Sequence, residues 1–106
     1  MPRKSLAGLT ESMFYVLMAF RLGGEMCGTD AAEFIRRHSG GRVSLGPATL
    51  YTILGKFEQE KCIRETAVEG RRRTYCLTPR GAALYEEELE RLRRCLEDAE
   101  RQGEED

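Results

Sequence analysis

A proline one residue into an amphipathic run fixes where a helix must begin, and this chain has such a run at Gly46–Glu60. Pro47 lacks an N–H and carries a φ already suited to a helix, so Gly46 and Pro47 mark N-cap and first helical residue. Leu50, Ile53, Leu54 and Phe57 then fall at i, i+3, i+4 and i+7, one apolar stripe that must pack inward. The opposite face carries Ala48, Thr49, Tyr51, Thr52 and Lys56, with no carboxylate before Glu58. Carboxylates ordinarily populate a helix's first turn, where they meet the positive end of its dipole. Their absence leaves this helix start open to another anion, and exposed N–H groups, hydroxyls and a downstream cation suit DNA phosphates and base edges. Taken alone, the same pattern describes an ordinary amphipathic helix with a solvated polar face.

The next stretch shifts that reading. Lys61–Val68 and Arg71–Leu77 are β-leaning runs around Glu69-Gly70, which predicts a hairpin. Its tip holds Arg71, Arg72 and Arg73 in succession, balanced nearby only by Glu65 and Glu69. The whole-chain net charge of −1 hides a strong asymmetry: residues 61–80 hold six Lys/Arg and two Asp/Glu, whereas residues 81–106 hold four and ten. A basic ribbon beside an open helix start reads as a phosphate-binding element.

Residues 1–8 are basic and short of apolar side chains, and read as a mobile arm. Thr10 is the expected N-cap of a first helix, with Glu11 in its first turn. Met13, Phe14, Val16, Leu17, Met18 and Phe20 make that helix apolar around most of its circumference, which asks for two packing partners, one of them from a second subunit. A glycine-punctuated turn, Arg21–Gly28, leads to a second helix that ends at Ser39-Gly40-Gly41, with His38 placed to meet its free carbonyls. Arg42–Leu45 alternates and reads as a short strand. Thr78-Pro79 repeats the N-cap and proline signal and launches the last helix. Ala82, Tyr85, Leu89, Leu92, Leu96 and Ala99 follow at steps of three and four, a seam for a dimer interface with a second copy.

Helix, glycine turn, helix, link, helix and basic hairpin predict a mainly α chain with a small β-hairpin (α+β): a winged helix-turn-helix at 9–77, followed by a C-terminal dimerisation helix and acidic tail at 78–106. Pro47, Ala48, Thr49, Tyr51, Thr52 and Lys56 would face the major groove, and Arg71, Arg72 and Arg73 would grip phosphates or reach into the minor groove. There is no run long enough to span a bilayer and no secretory leader, so a cytoplasmic location is expected. Cys27, Cys62, Cys76 and Cys95 form no C-x-x-C pair. With one histidine, no nucleophile motif and no phosphate-cradling glycine loop, neither enzyme, cofactor nor metal site is expected.

Leu9–Leu17, Leu45–Tyr51 and Gly70–Gly81 together resemble the PadR family of bacterial transcriptional regulators, in particular its members with a single short C-terminal helix. The resemblance runs from Leu9 to about Leu96. It implies a homodimeric winged-helix repressor that binds a double-stranded DNA operator, dimerises through its last helix and is released by a small aromatic or hydrophobic effector. An effector pocket near the dimer interface would fall at Met13, Leu17, Tyr85, Leu89, Leu92 and Cys95, residues that equally suit a plain dimer core. The chain has no tryptophan with which to sandwich a flat ligand. Two other readings stand beside this one: a winged-helix protein-interaction module without DNA binding, and a thiol-based redox regulator.

Overall fold

The computed structural model describes residues 8–102, so the expected basic arm, apart from Gly8, and the last four residues of the acidic tail lie outside the described residues. The elements are α1 (Glu11–Gly23), β1 (Met26–Cys27), α2 (Gly28–His38), α3 (Pro47–Gln59), β2 (Ile63–Glu69), β3 (Arg72–Leu77) and α4 (Pro79–Glu100). The strands form one antiparallel sheet in the order β1-β3-β2. With α2 and α3 joined by a loop and β2–β3 as the wing, this is a winged helix-turn-helix.

Local chemistry starts the helices where the sequence marks them. Thr10 Oγ1 accepts from Met13 N at 3.1 Å, and Thr78 Oγ1 accepts from Gly81 N at 3.1 Å. Gly46 caps α3 without a side-chain hydrogen bond, Pro47 opens it and its first turn holds no acid. α1 is the centre of the core: Met13, Phe14, Val16, Leu17, Ala19 and Phe20 are buried, and the helix packs on α2, α3, α4 and β3. Its broad apolar surface is thus covered within the chain, with Phe14 stacked on Tyr85 at 5.2 Å and Phe20 edge-on to Tyr75 at 6.4 Å.

The third strand is not where the alternation of Arg42–Leu45 places it. Val43–Gly46 form no strand. Ser39 Oγ accepts from Val43 N at 3.0 Å and shares its one proton between the Arg36 and Val43 carbonyls, each at 3.3 Å, so the Val43 backbone is held to the end of α2 and not in a sheet ladder. Met26 and Cys27 pair instead with Tyr75 and Thr74. This gives the wing a third strand and ties the start of α2 to the sheet.

In the wing, Glu69 faces Arg72 across the two-residue loop Gly70-Arg71. Positive φ occurs at Gly70 (63°) and not at Arg71, the pattern of a type II′ hairpin turn. Thr66 is the extra residue of a bulge between Glu65 and Ala67, and its hydroxyl donates to Glu25, bracing the wing against the turn after α1.

α4 divides into two halves. Gly81 and Tyr85 are buried and Leu84 and Leu89 pack on the core, whereas every residue from Arg91 to Glu100 is exposed. Leu92 is 36 % exposed and Leu96 58 %. The seam read from the sequence therefore begins inside the chain's own core and continues onto a helix end that this chain leaves bare.

Candidate nucleic-acid interface

Burying Leu50, Ile53, Leu54 and Phe57 turns the rest of α3 outward, and Pro47, Ala48, Thr49, Tyr51, Thr52 and Lys56 are all exposed. The Tyr51 ring rests over Gly28 at the start of α2. A Cβ added at Gly28 would lie 3.1 Å from Tyr51 Cε1 and 3.1 Å from Leu54 Cδ1. The missing side chain lets α2 and α3 approach and gives the exposed tyrosine a backing on one side.

Across from α3 stands the wing. Between them lies an open cleft of about 560 Å³, lined by Cys27, Gly28 and Thr29 of the α2 start, by Tyr51, Leu54, Gly55 and Glu58 of α3, and by Arg71, Arg72, Arg73 and Tyr75 of the wing. The three arginines differ in their partners. Arg72 Nη2 donates to Asp30 Oδ2 at 3.2 Å, which ties the wing tip to the first turn of α2. Arg73 Nη1 lies 3.3 Å from Glu65 Oε2 on the neighbouring strand. Arg71 and Lys56 have no ion-pair partner among the described residues. Burial pushes the Tyr75 phenol above its ordinary 10.0, and the Glu58 carboxylate adds to the shift while Arg73 opposes it.

Gly55 is unlike Gly28, the other glycine of the cleft. It sits inside α3, where glycine costs about 1 kcal/mol relative to alanine. A Cβ there would meet nothing within 4 Å, so no packing contact requires its absence.

The profile of the Transcriptional regulator PadR-like family matches residues 16–87. The chain belongs to that family. The matched stretch holds the cleft, both turn-linked helices and the wing of this PadR-like chain. Its fold is similar to a transcriptional regulator from Clostridium thermocellum, Cth-833, at TM-score 0.69 and 22% identity over 85% of this chain and 92% of that one. It is similar to Bacillus subtilis PadR, solved in complex with operator DNA, at TM-score 0.66 and 23% identity over 76% and 47%. Bordetella bronchiseptica BpsR, whose DNA binding is regulated by 6-hydroxynicotinic acid, matches at TM-score 0.70 and 22% identity over 88% and 62%. Among curated proteins, an uncharacterized 37.1 kDa protein in transposon TN4556 of Streptomyces fradiae is 40% identical over 50 residues, spanning 47% of this chain and 14% of that protein.

The PadR-like fold brings Tyr51 and the three arginines to the lining of one cleft and leaves Pro47, Ala48, Thr49, Thr52 and Lys56 exposed on α3 outside that lining, while the six residues expected at an effector pocket are divided between the core and the bare end of α4. Met13, Leu17 and Tyr85 are buried in the core, Leu89 packs at its edge, and Leu92 and Cys95 stand on the exposed end of α4. Sequence reasoning missed Asp30, Gly28, Gly55 and Glu58. Asp30 pairs with a residue 42 positions away, a contact with no local signature. Gly55 was visible as a glycine inside a helical pattern, a signal that asks for a reason. Among the described residues no group of three or more His, Cys, Asp or Glu could hold a metal ion, and no helix is long and apolar enough to cross a membrane.

Proposed function

We propose that this chain is a homodimeric repressor that binds a specific double-stranded DNA operator. The observation that carries the reading is the pairing, on one face, of an exposed helix without first-turn carboxylates and a wing bearing three arginines. In the major groove Tyr51, Thr49, Thr52 and Lys56 meet base edges and phosphates, Pro47 and Ala48 allow close approach, and the wing follows the adjacent backbone. Dimerisation through the exposed half of α4 doubles the contacts and demands a two-fold symmetric operator. Bacillus subtilis PadR with its operator is a precedent in the same family. Release by a small aromatic or hydrophobic effector is the regulatory arm of this reading, and BpsR offers a precedent in the fold.

Fluorescence anisotropy with DNA from the chain's own promoter and with scrambled DNA, across a salt series, tests it. Tight, salt-dependent binding that prefers the promoter is expected. A folded dimer that binds neither DNA would instead favour the protein-interaction reading.

A further inference from the structure

Gly55 is a glycine of the cleft that no contact within the described chain requires. Its neighbours each have an internal reason: Gly28 admits Tyr51 and Leu54, Leu54 is core, and Tyr75 is buried against Phe20. Gly55 weakens α3 and makes room for nothing in the chain itself, because the space beyond its Cα is open. It follows Tyr51 by four residues, one turn along the same face of the helix, and that face looks across the cleft at Arg71–Arg73.

Adjacent major and minor grooves of B-DNA are separated by one sugar-phosphate strand. A helix in the major groove and a wing over the neighbouring minor groove must therefore straddle that strand, and here the space between them is the cleft. We infer that Gly55 is kept without a side chain because the deoxyribose-phosphate backbone passes closest to α3 there, held against the helix from the other wall by the unpaired Arg71. This rests on the DNA-binding reading and adds to it the contact that sets how deeply α3 enters the groove. The placement makes sense of the glycine in the terms that glycine uses elsewhere, close approach of a ligand to backbone. Glu58, one turn further along α3, half-buried and also lining the cleft, repels the phosphate and disfavours its approach beyond Gly55.

The test is a graded series, Gly55→Ala and Gly55→Leu, each compared with the unaltered chain for thermal unfolding and for anisotropy with promoter DNA over a salt series. Alanine and leucine are both better helix formers than glycine, so both variants melt higher, by about 4 °C or more. DNA affinity moves the opposite way, falling about tenfold for alanine and further for leucine, with a shallower salt dependence as the phosphate contact is lost. A stabilised protein with weakened binding is a result that a purely structural glycine would not produce. If the unaltered chain binds DNA and both variants bind as tightly with the same salt dependence, the inference is overturned while the repressor reading stands. If the unaltered chain binds no DNA, both are overturned.

Discussion

Gly81 has no side chain because the Cys62 carbonyl oxygen stands where one would go: a Cβ there would lie 2.1 Å from that oxygen and 2.8 Å from Leu77 Cδ1. Replacing a glycine inside a helix with alanine ordinarily stabilises by about 1 kcal/mol. Here the sign reverses, since the start of α4 is held onto the loop by the Thr78 hydroxyl, whose one proton is shared between the Lys61 carbonyl at 2.7 Å and the Cys62 carbonyl at 3.0 Å. Gly81→Ala should destabilise by about 1–3 kcal/mol, read as a lower urea midpoint with an unchanged slope. Gly55→Ala, in the interior of α3 and over open space, should raise stability. The contrast between the two variants is one that no propensity scale distinguishes, because propensity records only the helix and not what lies against it.

Among elements, the wing shows how ion pairing sorts residues that the sequence presents as equivalent. Arg71, Arg72 and Arg73 form one charge run, yet the wing sets Arg72 on Asp30 and Arg73 beside Glu65. A phosphate must displace Asp30 to capture Arg72, whereas Arg71 needs no such exchange. Arg71→Ala is thus expected to weaken binding to every DNA sequence and to reduce the salt slope by about 0.9. Asp30→Asn should act in the opposite direction. Exposed pairs of this kind contribute roughly 0–1 kcal/mol, so freeing Arg72 should raise DNA affinity up to about fivefold, with a steeper salt slope. Titrations of both variants against the same random-sequence duplex check the pair. An Asp30→Asn protein that binds no better would show that Arg72 stays clear of the backbone. The hairpin itself was legible in the sequence through its β-leaning runs and Gly70. The acid opposite Arg72 was not, because it lies on another element.

For the whole molecule, α4 carries the consequence. Its 22 residues reach about 33 Å at the ordinary helical rise, well past the core that holds Tyr85, and the chain extends 61 Å along its longest axis. Leu92 and Leu96 continue the seam onto bare helix, where a second copy would cover them. Leu92→Lys with Leu96→Lys should move the sedimenting mass to the 12.1 kDa of one chain. The core would stay intact, because both side chains lie outside it. Operator affinity should fall with the dimer. Where the helices start, which stripe of each faces inward, where the wing turns and that the wing is basic were all legible along the chain. Each of these follows from residues within a few positions of one another: Thr10 before Met13, Gly46 before Pro47, Thr78 before Gly81, Gly70 after Glu69. That the third strand is Met26–Cys27, that α1 is covered from within and that Asp30 holds Arg72 was settled by the folded arrangement. It alone decided, too, that one helical glycine faces a carbonyl and another an open cleft. Those outcomes depend on which distant segments meet, and a competition among distant partners leaves no trace in the spacing of neighbours.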